Sequence, residues 1–216
     1  MNHTNVQGEL FGPSGNGAYS SIGSRAEFER HFGQVPGHIK DELHNGKLRL
    51  GDQIVYSIKP VGSSSTIKMF ETQDDKKIGM RNISNAKLQK NQALLCSGIF
   101  LLAGVPVPLA AAGPLTEDDI MATSFQPITS DSLFAPLVNG EFNLKANKVQ
   151  LVPETSMRIF ENSVSLLHPM GYYKLDNPRL ISDDVLIEAT VELGTVQGLP
   201  AGTHLFLGLQ GTITTP

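Results

Sequence analysis

The side chains that could do chemistry are few and widely spaced in this chain. Its single cysteine, Cys96, lies in an uncharged stretch with no histidine or cation beside it. A thiol in that setting is typical of a small buried hydrophobic group, because nothing adjacent would stabilise a thiolate. Neighbouring carboxylates occur at Asp74-Asp75, within a charged run, and at Asp183-Asp184, ahead of the last strands. Charged runs are usually solvated loops and a polar pair before a strand is usually a turn, so a hydrolase that uses Asp183 and Asp184 is the weakest functional alternative.

The histidines form no familiar metal-binding pattern. The sequence contains no His-x-His, His-Glu-x-x-His or Cys-x-x-Cys, and it lacks the Walker loop and the Gly-x-Ser-x-Gly elbow. The best candidate ligands are His38, Asp41 and His44 on a predicted helix. His38 and Asp41 share a face at a spacing of three, but His44 is turned away, as is common for exposed helix residues. We therefore expect no metal, no cofactor and no enzymatic activity.

Composition narrows the class of protein further. The 216 residues suit one large β domain, and only 18% of them are charged, against roughly 25% in ordinary soluble domains. A weakly charged surface favours contact with neighbouring molecules. The net charge of -4 and the lack of a basic cluster argue against specific nucleic-acid binding. A single cysteine excludes an intramolecular disulfide, and residues 1–10 show no signal-peptide pattern, so we expect synthesis in a reducing cytoplasm.

The strongest pattern in the chain is the alternation of side chains between residues 184 and 216. In two extended segments the apolar residues fall on one face and the polar residues mainly on the other. The apolar faces consist of Val185, Ile187, Ala189, Val191 and Leu193 in the first segment and Leu205, Leu207, Leu209 and Ile213 in the second. Residues 194–203 are too many for a tight hairpin and too glycine-rich for a helical crossover. The two strands are therefore antiparallel neighbours or members of facing sheets.

Two short helices are predicted near the N-terminus. Ser24 and Glu27 have the spacing of a capping box, and apolar residues four apart follow on one helix face. A second helix is expected over residues 36–45, which begin with a proline and are followed by a glycine. Residues 24–45 thus predict a helical cap over one end of a β-sandwich.

Short strands separated by turns are predicted over most of the remaining chain. Residues 54–60 alternate between two faces, and residues 67–71 follow a run of serines. This pattern predicts two paired strands joined by a serine-rich turn. Asn139-Gly140 is the clearest hairpin signal and would join strands over residues 133–138 and 142–146. The other predicted elements are a solvated loop over 72–90, a helix from Thr116 to Ala122, and strands over 149–152, 157–160 and 171–181.

Residues 93–113 form an uncharged run that is long enough to span a membrane as a helix. Glycines and prolines interrupt this run, and each proline inside a helix costs about 3 kcal/mol. We therefore expect a buried strand over residues 93–103 and an extended segment after it, with a transmembrane helix as the alternative. Eight or nine short strands without a long helix favour a mainly β fold, an antiparallel β-sandwich of jelly-roll type with short N-terminal helices.

The first 23 residues differ in composition from the rest of the chain. They are rich in Gly, Ser and Asn, and only a few large apolar side chains interrupt them. So few apolar groups cannot offset the entropy of ordering the segment, which predicts a flexible N-terminal arm ahead of a single domain at residues 24–216. We expect the apolar arm residues to make contacts with adjacent subunits; they are Leu10, Phe11, Tyr19 and Ile22.

The Gly- and Ser-rich arm of residues 1–23, the strand-rich body from Gly51 to Thr215 and the uncharged run Ala93 to Gly113 together resemble the jelly-roll capsid proteins of tailless icosahedral bacteriophages. The resemblance implies an eight-stranded sandwich packed edge to edge in a shell, with arms that tie neighbours together. It implies a structural virion protein, assembled in the host cytoplasm, whose partners are copies of itself, other virion proteins and, in some members, an internal lipid membrane. No catalytic residues are carried over. A single roll fits 216 residues, whereas many such phages use a double roll, so a minor capsid or vertex role is open.

A monomeric β-sandwich module that binds a ligand or receptor, as in a fibre or spike, is the alternative function. Such a module would expose aromatic platforms. The absence of Trp and the presence of only four Tyr count against this alternative.

Overall fold

The computed structural model describes residues 25–107, 115–130, 132–161 and 169–216. In these ranges the protein is mainly β, with two antiparallel sheets that pack against each other and four short α-helices. The helices are α1 (Arg25–His31), α2 (Gly37–His44), α3 (Glu117–Met121) and α4 (Ala135–Val138). The strands are β1 (Arg49–Pro60), β2 (Thr66–Lys68), β3 (Ala93–Gly104), β4 (Gln126–Pro127), β5 (Glu141–Ala146), β6 (Val149–Ser156), β7 (Tyr172–Ser182), β8 (Ile187–Glu192) and β9 (His204–Thr215). The predicted arm, with Leu10, Phe11, Tyr19 and Ile22, lies outside the described residues, as do Ser24 and residues 108–113 of the uncharged run.

The strands pair as one long antiparallel ribbon that is folded back on itself. β1 pairs with β9, β2 with β8, β3 with β7 and β5 with β6, so each pair is nested inside the previous one along the chain. Successive pairs alternate between the two sheets. The five-strand sheet has the order β1-β9-β3, with β7 and β4 both on β3, and the four-strand sheet has the order β2-β8-β5-β6. The two C-terminal strands, β8 and β9, therefore belong to facing sheets, which is one of the two arrangements that their alternation allows.

The long strands define two ends of the sandwich. At one end, which we call the Gly104 end, β1 and β3 finish and β9 begins, and Pro60, Gly104 and His204 lie side by side. Ala93 and Ser182 are paired at the opposite end, which is the Ala93 end.

The main core lies between the sheets and is built largely from alternate residues of the long central strands. The core-facing residues of β9 are Leu205, Leu207, Leu209 and Ile213, as the alternation predicts, and those of β3 are Leu94, Cys96, Ile99, Leu101 and Ala103. The register of β3 shifts between Cys96 and Gly98, which is why its inward residues change from even to odd numbers there. The buried strand predicted for residues 93–103 is confirmed.

Both N-terminal helices pack on the outer face of the five-strand sheet. Their buried residues Phe28, Ile39 and Leu43 contact Ala93 and Leu95 of β3, which alternate with the core-facing residues of that strand. The contact covers the half of the outer face nearest the Ala93 end. The two predicted helices are confirmed, and Gly46 follows α2 with φ +69°, a left-handed conformation that glycine adopts without strain.

Residues 71–90 cover the free edge of β1. The Ile58 N–H donates to the Met80 carbonyl (2.9 Å), and the Asn82 side chain accepts from the Tyr56 N–H and donates to the Ile54 carbonyl. These bonds satisfy edge groups that would otherwise be open to another chain. The solvated loop predicted over residues 72–90 is therefore correct only in part, because residues 72–73, 75–78 and 89–90 are exposed whereas Met80, Ile83 and Leu88 are buried.

Several predicted turns and strands are wrong. Residues 135–138 form α4, and the hairpin lies one element later, between β5 and β6, at Asn147 and Lys148. A tight hairpin of this type requires φ above zero at both turn residues. Asn147 and Lys148 have φ +50° and +66°, whereas Asn139 has φ -89°. β6 continues through Pro153, because it is an edge strand with a shifted register there, and residues 157–160 form a 3-10 turn.

The predicted pairing of residues 54–60 with 67–71 is also wrong. β1 pairs with β9 in one sheet and β2 pairs with β8 in the other, so the serine-rich segment crosses between sheets. Within β1 the residue that enters the main core is Val55, while Ile54 lies on the outer face with 38% exposure. The α3 prediction is confirmed by a capping box between Thr116 and Asp119.

Candidate functional site

Cys96 lies in the core, as its uncharged surroundings predict. Its side chain is fully buried, and the Sγ atom lies 3.5 Å from the Gly98 carbonyl oxygen. Burial raises the pKa of the Cys96 thiol to about 12, and the bond to Gly98 lowers it by a smaller amount. The neutral thiol is the stable form, so this residue acts as a small hydrophobic side chain.

His38 and Asp183 are brought together, but the arrangement serves to hold a helix. The His38 Nε2 and Asp183 Oδ2 atoms lie 2.9 Å apart, and the same oxygen accepts from the Asn91 N–H at 2.9 Å. The Asn91 side chain in turn donates to Glu42, one helical turn after His38. One face of α2 is thereby fixed to the segments beside β3 and β7. Asp184 adopts φ +57° in the adjacent turn.

The remaining candidate ligands do not assemble. Among the described residues, no group of three or more His, Cys, Asp or Glu side chains has the geometry to hold a metal ion. Asp74 instead pairs with Lys59 at 2.7 Å and with Arg81 at 3.4 Å, and Lys59 also contacts Glu71 at 2.5 Å. These largely buried ion pairs fasten the segment over β1, while Asp75 is exposed.

Large apolar side chains are exposed around the Gly104 end of the sandwich. The most exposed are Ile78 at 86% and Val107 and Leu133 at 74% each. Ile78 lies next to α3, because a methyl group on the adjacent Gly79 would come within 2.6 Å of Met121 Sδ. This surface, named the apolar end, consists of Ile78, Val107, Leu115, Met121 and Leu133.

A cleft of about 620 Å³ opens within the apolar end. Val107 and Leu133 line it together with Asp119 and Thr123. Both polar side chains already take part in the capping of α3, where the Thr123 hydroxyl donates to the Asp119 carbonyl. The cleft is therefore a largely apolar recess in which two of the polar lining residues, Asp119 and Thr123, are engaged in the fold.

A second apolar surface occupies the outer face of the five-strand sheet. Tyr56 and Phe206 stack with ring centroids 5.6 Å apart, and Phe125 lies 5.8 Å from Phe206. Gly208 makes room for the group, since a methyl there would lie 2.8 Å from Ile54 and 3.6 Å from Phe100. This surface, named the aromatic patch, consists of Ile54, Tyr56, Phe100, Phe125 and Phe206; the four aromatic residues are half-buried.

The outer face of the four-strand sheet has the opposite character. Lys145 lies across from Glu188 in the pairing of β5 with β8, and Lys68 lies across from Thr190 in the pairing of β2 with β8. Opposite charges at directly paired positions are favourable on a solvated face. The two broad faces of the sandwich therefore differ sharply, with a charged surface on one and an apolar surface on the other.

The sequence patterns missed the aromatic patch. In β9, Phe206 lies on the face that the alternation predicts to be polar. In β1, Ile54 and Tyr56 fall on the opposite face from Val55, and the alternation predicts that one of these two faces is polar. The available signal is that β1 and β3 carry apolar residues on both faces, which is typical of a strand covered on both sides.

Every helix in the described ranges is too short or too polar to span a bilayer.

Comparison with known proteins assigns no family. No model of a known protein family matches the chain, and no curated protein is similar to it in sequence.

Proposed function

We propose that the protein is a structural virion protein, a capsid shell subunit of an icosahedral bacteriophage that acts through subunit-subunit contacts. The proposed fold is a jelly roll. The support for this fold is the nested pairing of β1 with β9, β2 with β8, β3 with β7 and β5 with β6, in pairs that alternate between two sheets. A ribbon of eight strands wound in this way into two facing sheets is the plan of a jelly roll, and β4 is then an addition between its third and fourth strands.

The observation that carries the proposed function is the apolar end. Ile78, Val107 and Leu133 are mostly exposed although they belong to separate segments of the chain. Val107 and Leu133 line one cleft, and exposed apolar side chains that gather at one end of a protein mark a contact with other molecules. The low content of charged residues, 18%, agrees with a surface that is largely covered by neighbours.

The partners in this proposal are copies of the chain and other virion proteins, including an internal lipid membrane if the virion has one. Assembly takes place in the host cytoplasm and the mature location is the virion. The arm residues Leu10, Phe11, Tyr19 and Ile22 add contacts between subunits in this scheme.

The test compares assembly of the full chain with two charge-introducing variants. Leu133→Glu places a charge in the apolar end, and Val149→Glu is the matched control, since Val149 is 63% exposed but lies beside the β5–β6 hairpin at the Ala93 end. Both positions are exposed, so neither variant should unfold the subunit. Light scattering and electron microscopy should show assemblies for the wild type and for Val149→Glu. For Leu133→Glu the amount of assembled protein should fall by about tenfold or more.

A binding module of a fibre or spike is the second candidate, and the cleft of about 620 Å³ in the apolar end favours it. This volume falls within the range of small-molecule sites. A chain that stays monomeric at all concentrations and in its native source would refute the capsid proposal and support the binding module.

A further inference from the structure

A polar cleft of about 450 Å³ runs beside β7, which pairs only with β3 and forms a border of the five-strand sheet. Its walls are α1, β7 and Leu151 of β6, a strand of the other sheet. Among the described residues, it shares no lining residue with the cleft in the apolar end. We name it the arginine cleft, and most of its polar lining residues are Arg30, His31, Gln34, Asp176, Asn177 and Arg179.

One face of α1 supplies the polar groups on the helix side of the cleft. Arg30 and His31 lie three and four residues after Glu27, so the three share a helix face, and Gln34 continues it in the 3-10 turn that follows. Phe28 is fully buried against β3, which fixes the face of α1 that is turned to the cleft. The His31 Nδ1–H donates to the Glu27 carbonyl at 3.0 Å. Nε2 is therefore the ring nitrogen that can bind a ligand.

A bulge in β7 supplies the polar groups on the sheet side. Between the two pairs that flank the register shift, β3 has one residue and β7 has four, residues 175–178. Such a bulge gives up ladder hydrogen bonds and re-aims side chains, and bulges are frequent beside functional sites. Asp176 and Asn177 lie in the bulge, are exposed and line the cleft, and Arg179 follows directly after it.

The free edge of β7 is unsuited to a β-strand from another chain. The bulge interrupts the regular row of backbone groups that strand addition needs, and Pro178 has no N–H to donate. The volume of the cleft, about 450 Å³, falls within the range of small-molecule sites. The cleft therefore suits a small polar molecule better than an extended peptide.

The two arginines of the cleft are unpaired in the described ranges. The arginine ion pairs there are made by Arg25, Arg81 and Arg158. The side chains of Arg30 and Arg179 are exposed and form neither an ion pair nor a hydrogen bond with the described residues. A guanidinium binds a carboxylate through two parallel N–H···O bonds. Two unpaired arginines on one cleft therefore suit a ligand with a carboxylate.

Two carboxylates limit the negative charge that the ligand can carry. Glu27 and Asp176 line the same cleft, so their charges balance those of the two arginines. A phosphate would bring two negative charges beside these carboxylates, whereas a ligand carboxylate brings one. Carboxylates accept hydrogen bonds, and the amides of Gln34 and Asn177 both donate and accept them. These groups match the hydroxyls of a sugar.

We propose that the arginine cleft binds an acidic sugar, a monosaccharide unit that carries one carboxylate. Arg30 and Arg179 bind the carboxylate, and Glu27 and Asp176 accept hydrogen bonds from the hydroxyls. All the lining residues belong to one subunit, so this site does not depend on the proposed shell function.

An NMR titration tests the site. The isotope-labelled full chain is titrated with glucuronate, galacturonate and N-acetylneuraminate. At the usual ligand efficiency, a uronate of about 13 non-hydrogen atoms should bind with a Kd of about 1 mM. Shift changes should concentrate at residues 27–34 and 176–179. No binding of any of the three sugars up to about 20 mM, or shift changes only at other residues, would overturn the proposal.

Two further sugars test the chemistry of recognition. Glucose lacks the carboxylate and should bind about tenfold more weakly than glucuronate. Glucose 6-phosphate should also bind more weakly than glucuronate, because its charge is repelled by Glu27 and Asp176. Binding of either sugar as tight as that of glucuronate would contradict the assignment.

Arginine variants test which side chains hold the carboxylate. Arg30→Gln and Arg179→Gln should each weaken glucuronate binding by about tenfold. Arg49→Gln is the matched control, since Arg49 is also exposed but lies on β1, three strand spacings or about 14 Å from β7. All three variants should keep the Tm of the wild type, because the side chains are exposed. An equal loss from Arg49→Gln, or no loss from Arg30→Gln and Arg179→Gln, would overturn the site.

Failure of this site can be told apart from failure of the shell proposal. Sugar binding is measured on isolated subunits, while assembly is measured by light scattering. Assembly of a chain that binds no acidic sugar would refute only this site, and sugar binding by a strictly monomeric chain would refute only the shell function.

Discussion

Gly211→Ala tests the close contact between the two central strands. Gly211 of β9 is paired with Cys96 of β3 beside the register shift. A methyl group at this position would lie 1.9 Å from the Leu95 carbonyl oxygen, whereas real contacts are essentially never below 3.0 Å. The obstacle is backbone, so β3 and β9 must separate at the centre of the sheet. We expect a loss of about 3 kcal/mol in the free energy of unfolding, the upper end of the usual cost of overpacking.

The matched control for this substitution is Gly51→Ala. Gly51 also lies in a strand of the five-strand sheet, but its added methyl would be 4.0 Å from the nearest atom, Thr215 Oγ1. Alanine is favoured over glycine by about 0.5–1 kcal/mol in such a strand, so this variant should be neutral or more stable.

The assay is thermal unfolding followed by circular dichroism. At roughly 2–4 °C per kcal/mol for a chain of this size, Gly211→Ala should lower the Tm by about 6–12 °C. A Tm within about 1 °C of the wild type would show that the strands do not approach in this register. Chemical denaturation with an unchanged m-value would confirm that the loss is one of stability.

Three further predictions concern buried polar and thiol groups and are measured by urea unfolding. Lys59→Met breaks two ion pairs and should cost about 3 kcal/mol, while Lys77→Met, which breaks an exposed pair, should cost less than about 1 kcal/mol. Asp183→Ala leaves the part-buried Asn91 N–H without its acceptor and should cost about 2 kcal/mol, whereas Asp184→Gly at φ +57° should be neutral or stabilising. Burial raises the pKa of the Cys96 thiol from 9.0 to about 12. The contribution of this thiol to the free energy of unfolding is therefore fully present below pH 9 and is lost as the pH rises from 9 towards 12, and Cys96→Ala should flatten this decline. Equal losses within either substitution pair, or an unchanged alkaline decline in Cys96→Ala, would contradict the corresponding reasoning.

The sequence by itself determined the elements whose signals are local. The capping box of α3 involves Thr116 and Asp119, only three residues apart. The alternation of β8 and β9 is set by adjacent residues, and the residues that face the core follow it. Such patterns are readable because period and capping depend on neighbours in the chain. The mainly β class of the fold follows from the sum of these signals.

Only the tertiary structure decided which strands pair and which faces are covered. β1 pairs with β9 from the far end of the chain, Arg49 opposite Thr215, and no local pattern encodes that partner. Asn139-Gly140 has the residues of a hairpin turn, yet Leu137 and Val138 are buried in a helix and the turn forms at Asn147. The aromatic patch likewise combines residues from β1, β3 and β9 that meet only when the ribbon folds back. Contacts between distant segments depend on the burial of the whole core, and that collective energy overrides local preference.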